Sequence, residues 1–130
     1  MLTVNKSISK YLNQKGFEEE DDDINIILYK SIYHNKVKKF KHVLKFVGKN
    51  NIVLDINKVQ ADRNENTDPL TLITKREYNE IAKLLLDYAT QNNIILKMNN
   101  KDEEGMNPLF YCLSGNNNFE MLILLINYAT

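Results

Sequence analysis

Only a few side chains in this sequence are of a kind that does chemistry. Cys112 is the sole cysteine, and the only histidines are His34 and His42. A nucleophilic thiol needs a base beside it and access to solvent, and neither histidine stands near Cys112. Core packing is the expectation for it. One cysteine closes no intrachain disulfide and builds no cysteine-based zinc site. The two histidines lack a carboxylate at ligand spacing, so they read as surface or half-buried residues rather than metal ligands. The acidic run Glu18-Glu-Glu-Asp-Asp-Asp23 lacks the alternating ligands and the turn glycine of a calcium loop. It reads as a solvated loop whose carboxylates favour the N-terminus of the next helix. The glycines are scattered and form no phosphate cradle. No catalytic residue, metal site or cofactor is expected.

A second charged feature is basic. Lys36, Lys38, Lys39, Lys41 and Lys45 are interleaved with Val37, Phe40, Val43 and Leu44. A basic amphipathic helix can contact phosphate backbones or anionic lipid. The acidic run close by offsets it, and the segment has no arginine for bidentate base contacts. A solvated outer face is the main reading of residues 36–45. A nucleic-acid or anionic-membrane contact is the alternative.

The whole chain gives no electrostatic direction, because 17 basic residues cancel 17 acidic ones. Its 130 residues amount to about one domain. No apolar run approaches the ~20 residues of a membrane span, and Met1-Leu-Thr-Val-Asn-Lys does not have a signal-peptide layout. With a single thiol, the expectation is a reducing compartment, the cytoplasm, with the nucleus left open.

The elements that must hold these residues are written in a repeat. Asp68-Pro-Leu-Thr-Leu-Ile runs on to Leu84-Leu-Leu-Asp-Tyr-Ala-Thr90, and Asn107-Pro-Leu-Phe-Tyr-Cys-Leu runs on to Leu124-Leu-Ile-Asn-Tyr-Ala-Thr130. Pro69 to Pro108 is 39 residues, and Tyr88 to Tyr128 is 40. A fainter copy lies upstream, where residues 46–57 align with 88–99 at an offset of 42. Such periods mark stacked helical units, each too small to bury its own apolar face.

Helix pairs are therefore predicted near 25–47, 68–91 and 107–130. Asp68 and Asn107 cap the first helices, and Pro69 and Pro108 take the first helical position. Leu70 and Ile73, then Leu109, Cys112 and Leu113, should face inward. The second helices should bury Phe40, Val43, Leu44 and Val47; Ile81, Leu84, Leu85 and Tyr88; and Met121, Leu124, Leu125 and Tyr128. Residues 9–17 read as the end of an earlier second helix, closed by Gly16 in the left-handed position. Ile123, Leu124 and Ile126 should stay partly uncovered. That implies either a fragment of a longer array or self-association through an uncapped C-terminal unit.

These residues carry a resemblance to the ankyrin repeat over about residues 24–130. Asn107-Pro-Leu-Phe-Tyr-Cys-Leu resembles its threonine-proline-leucine-histidine opening, Glu120-Met-Leu-Ile-Leu-Leu-Ile its second helix, and Met98-Asn-Asn-Lys-Asp-Glu-Glu-Gly105 its hairpin finger. A HEAT-type solenoid also uses pairs of about 40 residues, but the Asp/Asn-Pro-Leu openings and the finger favour ankyrin. The units run longer than the usual ~33 residues. Val47, Ala89 and Ala129 stand where the family has glycine, so the second helix is predicted to run on through Thr90 and Gln91 and stop at Asn92-Asn93. Ile94-Ile-Leu96 should then tuck back beneath it. The opening histidine is missing, with Thr71 or Leu72 and Phe110 or Tyr111 in its place, which weakens hydrogen bonding between units.

The resemblance implies an all-α ankyrin-type solenoid with projecting fingers. Its parts would be residues 1–23 (the end of a preceding repeat and the acidic loop), 24–66, 67–106, and a third repeat at 107–130 truncated after its second helix. It further implies a non-enzymatic module that binds another protein, with nucleic acid an unlikely partner. Fingers and first helices line one side of such arrays, which singles out Arg63, Lys101, Asp102 and Glu103 as contact candidates. Arg63 leads, because arginine is enriched among residues that dominate interfaces.

Overall fold

A computed structural model describes residues 4–19, 23–57, 68–99, 101–114 and 118–129. Among them are seven helices and no strand: α1 (Val4–Gln14), α2 (Ile24–Tyr33), α3 (Val37–Lys49), α4 (Pro69–Arg76), α5 (Asn79–Gln91), α6 (Pro108–Leu113) and α7 (Phe119–Ala129). The helices stack in two rows. First helices α2, α4 and α6 pack side by side, and second helices α1, α3, α5 and α7 form the other row.

The starts follow from sequence chemistry. The Asp68 carboxylate accepts the Thr71 N–H at 2.8 Å, and the Asn107 amide oxygen accepts that of Phe110 at 3.0 Å. Pro69 and Pro108 open their helices without losing a bond. Asp23, the last residue of the acidic run, caps α2 through the Asn25 N–H at 2.8 Å. Gly16 closes α1 at φ +94°.

The stops follow too. α3 and α5 end one residue before Asn50 and Asn92, and the next residues, Asn51 and Asn93, take the left-handed region at φ 54° and 55°. Asn tolerates that region better than other side chains. The reversed chain is then tied back: the Ile52 N–H donates to the Val47 carbonyl at 2.9 Å, and that of Ile94 to Ala89 at 2.8 Å. The Asn50 and Asn92 amides bond the carbonyls of Phe46 and Tyr88. Extending the helix past the missing glycine thus lengthens the unit, as the sequence implied.

The inward stripes are buried. Phe40, Val43, Val47, Ile81, Leu85, Met121 and Leu125 are fully enclosed, and Leu44, Leu84, Leu124 and Tyr128 are half-buried. Two expectations need correction. Leu113 is exposed: it is the last residue of α6, just before Ser114 turns extended, and α6 has a first-helix neighbour, α4, on one side only among the described residues. Of Ile94-Ile-Leu96, Leu96 is buried and Ile94 partly so, but Ile95 points to solvent. An extended chain alternates its faces, so three consecutive apolar residues cannot all tuck in.

A residue repeated in the motif ties the units together. The Tyr88 hydroxyl accepts the Leu54 N–H at 2.8 Å. That of Tyr128 accepts the Leu96 N–H at 2.9 Å and donates to the Ile94 carbonyl at 2.8 Å. Each extended segment is held by the tyrosine of the next second helix, so a position that reads as merely apolar also satisfies backbone that would otherwise lie buried without a partner.

Candidate functional site

The second finger is built around Asp102. Its carboxylate accepts the N–H groups of Glu104 and Met106, each at 2.9 Å, and makes a short hydrogen bond with the Tyr111 hydroxyl. The Asp102 N–H donates to the Met106 carbonyl at 2.9 Å, and Gly105 at φ +77° closes the turn. Burial pushes the Asp102 carboxyl up. The hydrogen bonds from Tyr111, Met106 and Glu104, with the Lys75 charge, outweigh it and hold the group below its ordinary value. Tyr111 moves the opposite way, raised by burial and then by its bond to the Asp102 carboxylate. Asp102 is therefore occupied with shaping the finger, and it leaves Lys101 and Glu103 exposed on an ordered loop. Glu104 pairs with Lys75 of α4 at 3.6 Å, an exposed pair that adds little to stability.

Arg63 belongs to the first finger, residues 58–65, and lies outside the described residues, as do Val59, Gln60 and Ala61, which make that finger the longer one. The finger bases are nonetheless tied. The Asn57 side chain donates to the Ile95 carbonyl at 2.7 Å and accepts the Lys97 N–H at 3.2 Å. Its amide pairs with the neighbouring segment as a strand would.

The lysine helix is partly neutralised. Lys39 forms an ion pair with Glu19, whose side chain is nearly buried. Glu19 is positioned by Asn13, which accepts its N–H at 2.9 Å. Lys36, Lys38, Lys41 and Lys45 remain exposed. His42 does no ligand work: its Nδ1 lies 3.2 Å from the Tyr11 hydroxyl, and its ring packs edgewise on Tyr11 and Phe17. His34 is the exposed cap residue after α2.

A cluster at the helix-pair turns carries no signal in the sequence, because Tyr33 is more than 40 residues from Arg76 and Tyr78. The Arg76 guanidinium sits 4.3 Å from the Tyr33 ring centroid and donates to the Tyr33 carbonyl at 3.4 Å, where the Tyr78 hydroxyl also donates. Hydrogen bonding with the Tyr33 and Tyr78 side chains raises Arg76 further above its already high ordinary value, despite some desolvation. At the next turn Asn79 and Asn118 exchange amide hydrogen bonds, and Asn79 also donates to Glu120 at 2.9 Å. These contacts tie neighbouring units at the turns between paired helices. Thr71, where the opening histidine is missing, buries its hydroxyl with no hydrogen-bond partner among the described residues.

Cys112 is buried, and its thiol is pushed up to about 11 by burial and then by the negative charge of Glu77. At neutral pH it is a protonated core side chain, a poor nucleophile. Among the described residues no group of three or more His, Cys, Asp or Glu is arranged to hold a metal. None of their helices is long and apolar enough to cross a membrane. A family model described as ankyrin repeats (3 copies) matches residues 28–130. No curated protein and no solved structure matches the chain.

Proposed function

The chain belongs to the ankyrin-repeat family, whose repeats are generally protein–protein interaction modules and typically non-catalytic, and on that premise we propose that it binds another protein along its fingers and first helices. The observation that supports this most is the second finger. Asp102 and Tyr111 hold the loop backbone in shape, so Lys101 and Glu103 are presented with less backbone left to order on binding. Asp102 contributes by holding the finger. Arg63 of the first finger is the proposed main anchor, a planar cation suited to carboxylates and aromatic faces. The repeat units run 24–66, 67–106 and onward from 107.

The test is affinity for a partner recovered with the intact chain as bait. Arg63→Ala, and Lys101→Ala with Glu103→Ala, should each weaken binding about tenfold or more, the scale of interface hot spots. Lys38→Ala with Lys41→Ala should change it little. If the lysine pair abolishes binding and the finger changes leave it intact, the finger reading fails. A binding constant that then falls steeply with salt would favour a phosphate-bearing partner.

A further inference from the structure

We propose that the exposed face of α7 is a self-association surface, on which two copies of the chain pack α7 against α7 in antiparallel fashion. This surface is separate from the fingers. Phe119, Ile123 and Ile126 lie at i, i+4 and i+7, one stripe of the helix. They are 65%, 57% and 49% exposed, while the opposite stripe of Met121 and Leu125 is fully buried. Phe110 and Leu113 of the adjoining α6 are exposed as well. Two apolar stripes on a helix of 11 residues are one more than folding of the unit requires.

The earlier units show which of these residues stacking explains. At the 40-residue offset set by Tyr88 and Tyr128, Ile126 corresponds to Leu86, which the next unit covers. Ile123 corresponds to Lys83, and Phe119 to Asn79. Lys83 stays exposed although α7 packs beside α5, and so does Lys41, its counterpart on α3. Unit stacking leaves this position in water, so an isoleucine there calls for a cover wider than another unit in the same register provides.

Charge and area select the occupant. Glu120 is the only charged residue on α7, and it already accepts a hydrogen bond from Asn79. A charged partner would find little to pair with. A second copy of the same stripe offers apolar surface of matching length. Antiparallel packing centred on Ile123 brings Phe119 of one copy within about 1.5 Å, along the axis, of Ile126 of the other and separates the two Glu120 side chains by about 9 Å at 1.5 Å per residue. Parallel packing would bring them level. The largest apolar patches on ordinary monomers reach roughly 300–600 Å², below the ~800 Å² per partner of a standard interface, so a contact of one helix stripe belongs at the weak end. The expected product is a reversible dimer with a dissociation constant on the order of micromolar.

Sedimentation equilibrium on the full chain, from about 1 to 300 μM, tests this. The proposal expects a monomer–dimer equilibrium that Ile123→Lys, which restores the residue of the earlier units, weakens at least tenfold while the thermal unfolding curve stays unchanged. Phe119→Asn should act in the same direction. A second test uses single cysteines, with buried Cys112 as a silent background. Under oxidation Ile123→Cys should cross-link to itself and Phe119→Cys should not. Monomer at every concentration overturns the proposal, as does a dimer indifferent to Ile123→Lys. Open-ended growth beyond the dimer would indicate head-to-tail stacking of units and overturns it too. Cross-linking through Phe119→Cys rejects the antiparallel arrangement.

Discussion

Leu86 and Ile126 occupy the same place in two nearly identical helices, yet one is 4% exposed and the other 49%. The contrast runs through both units. In α4, six of eight residues are buried, while in α6 only Pro108 and Cys112 are. The openings share a capped Asp/Asn-Pro-Leu and the second helices share Leu-Leu and Tyr-Ala-Thr, so local sequence is not the cause. The second unit lies between neighbours on both sides. The third has a packed neighbour on one side only among the described residues. Burial in an array belongs to the interface rather than the repeat.

That comparison makes its largest claim about core truncations. Leu85 and Leu125 are both fully buried. Leu85→Ala should cost about 3–5 kcal/mol, because the flanking units keep the cavity from collapsing, and Leu125→Ala about 2–3 kcal/mol, because α7 is free to relax. Denaturant midpoints for the two variants measure this. Equal losses would break the claim that the third unit is the looser one.

Next are the tyrosine ties. Tyr88→Phe strands the buried Leu54 N–H and should cost about 1–3 kcal/mol. Tyr128→Phe releases both Leu96 and Ile94, but in a half-buried setting, so about 1–2 kcal/mol is expected. Amide hydrogen exchange at Leu54 and Leu96 sharpens the comparison: each variant should lose protection at its own amide and leave the other unchanged.

The finger gives a smaller effect. Tyr111→Phe removes one bond to a half-exposed carboxylate, worth about 1 kcal/mol or less once solvent screening is counted. The pH dependence has a definite sign. Asp102 is depressed in the folded state, so its contribution is complete above the unfolded carboxyl value of 3.8 and is lost as pH falls through the lower folded value. In Tyr111→Phe the Asp102 carboxyl should titrate closer to 3.8, readable by carbon NMR. An unmoved titration would mean that the backbone N–H groups alone hold the finger.

The smallest difference concerns the missing histidine. Thr71→Val replaces a buried hydroxyl lacking a partner among the described residues, so it should be neutral or stabilising by up to about 1 kcal/mol. Phe110→Ala, at the same place in the third unit, removes an exposed ring and should stay within about 0.5 kcal/mol. Thermal unfolding decides both. A loss of 2 kcal/mol or more for Thr71→Val would show that its hydroxyl has a partner.

Much of this was legible in one sequence because a repeat is its own control. Period, caps and stripes recur, and two or three copies separate signal from accident. Even the departure from the family's glycine was readable, since Asn51 and Asn93 stand one helical turn beyond the vacant position and take the left-handed conformation there. The candidate surface was less legible. Asp102 and Glu103 are neighbouring acids in the sequence, and nothing local says that one holds the finger while the other faces solvent. Nor does residue type reveal that Lys39 is matched by Glu19 while Lys38 and Lys41 stay exposed, with no ion pair among the described residues.

The sequence alone determined the all-α repeat, the capped starts of α4 and α6, the stop of α5 at Asn92-Asn93, and most of the side each helix turns inward, because capping, left-handed stops and 3.6-residue periodicity act within a few residues. Only the tertiary structure decided which apolar residues remain in water, which acid is occupied, and that Tyr33, Arg76 and Tyr78 meet across a turn. The first and last of these depend on groups some 40 residues away, brought together by stacking, and the second on Tyr111, nine residues along on the next helix; no local preference encodes a neighbour's position.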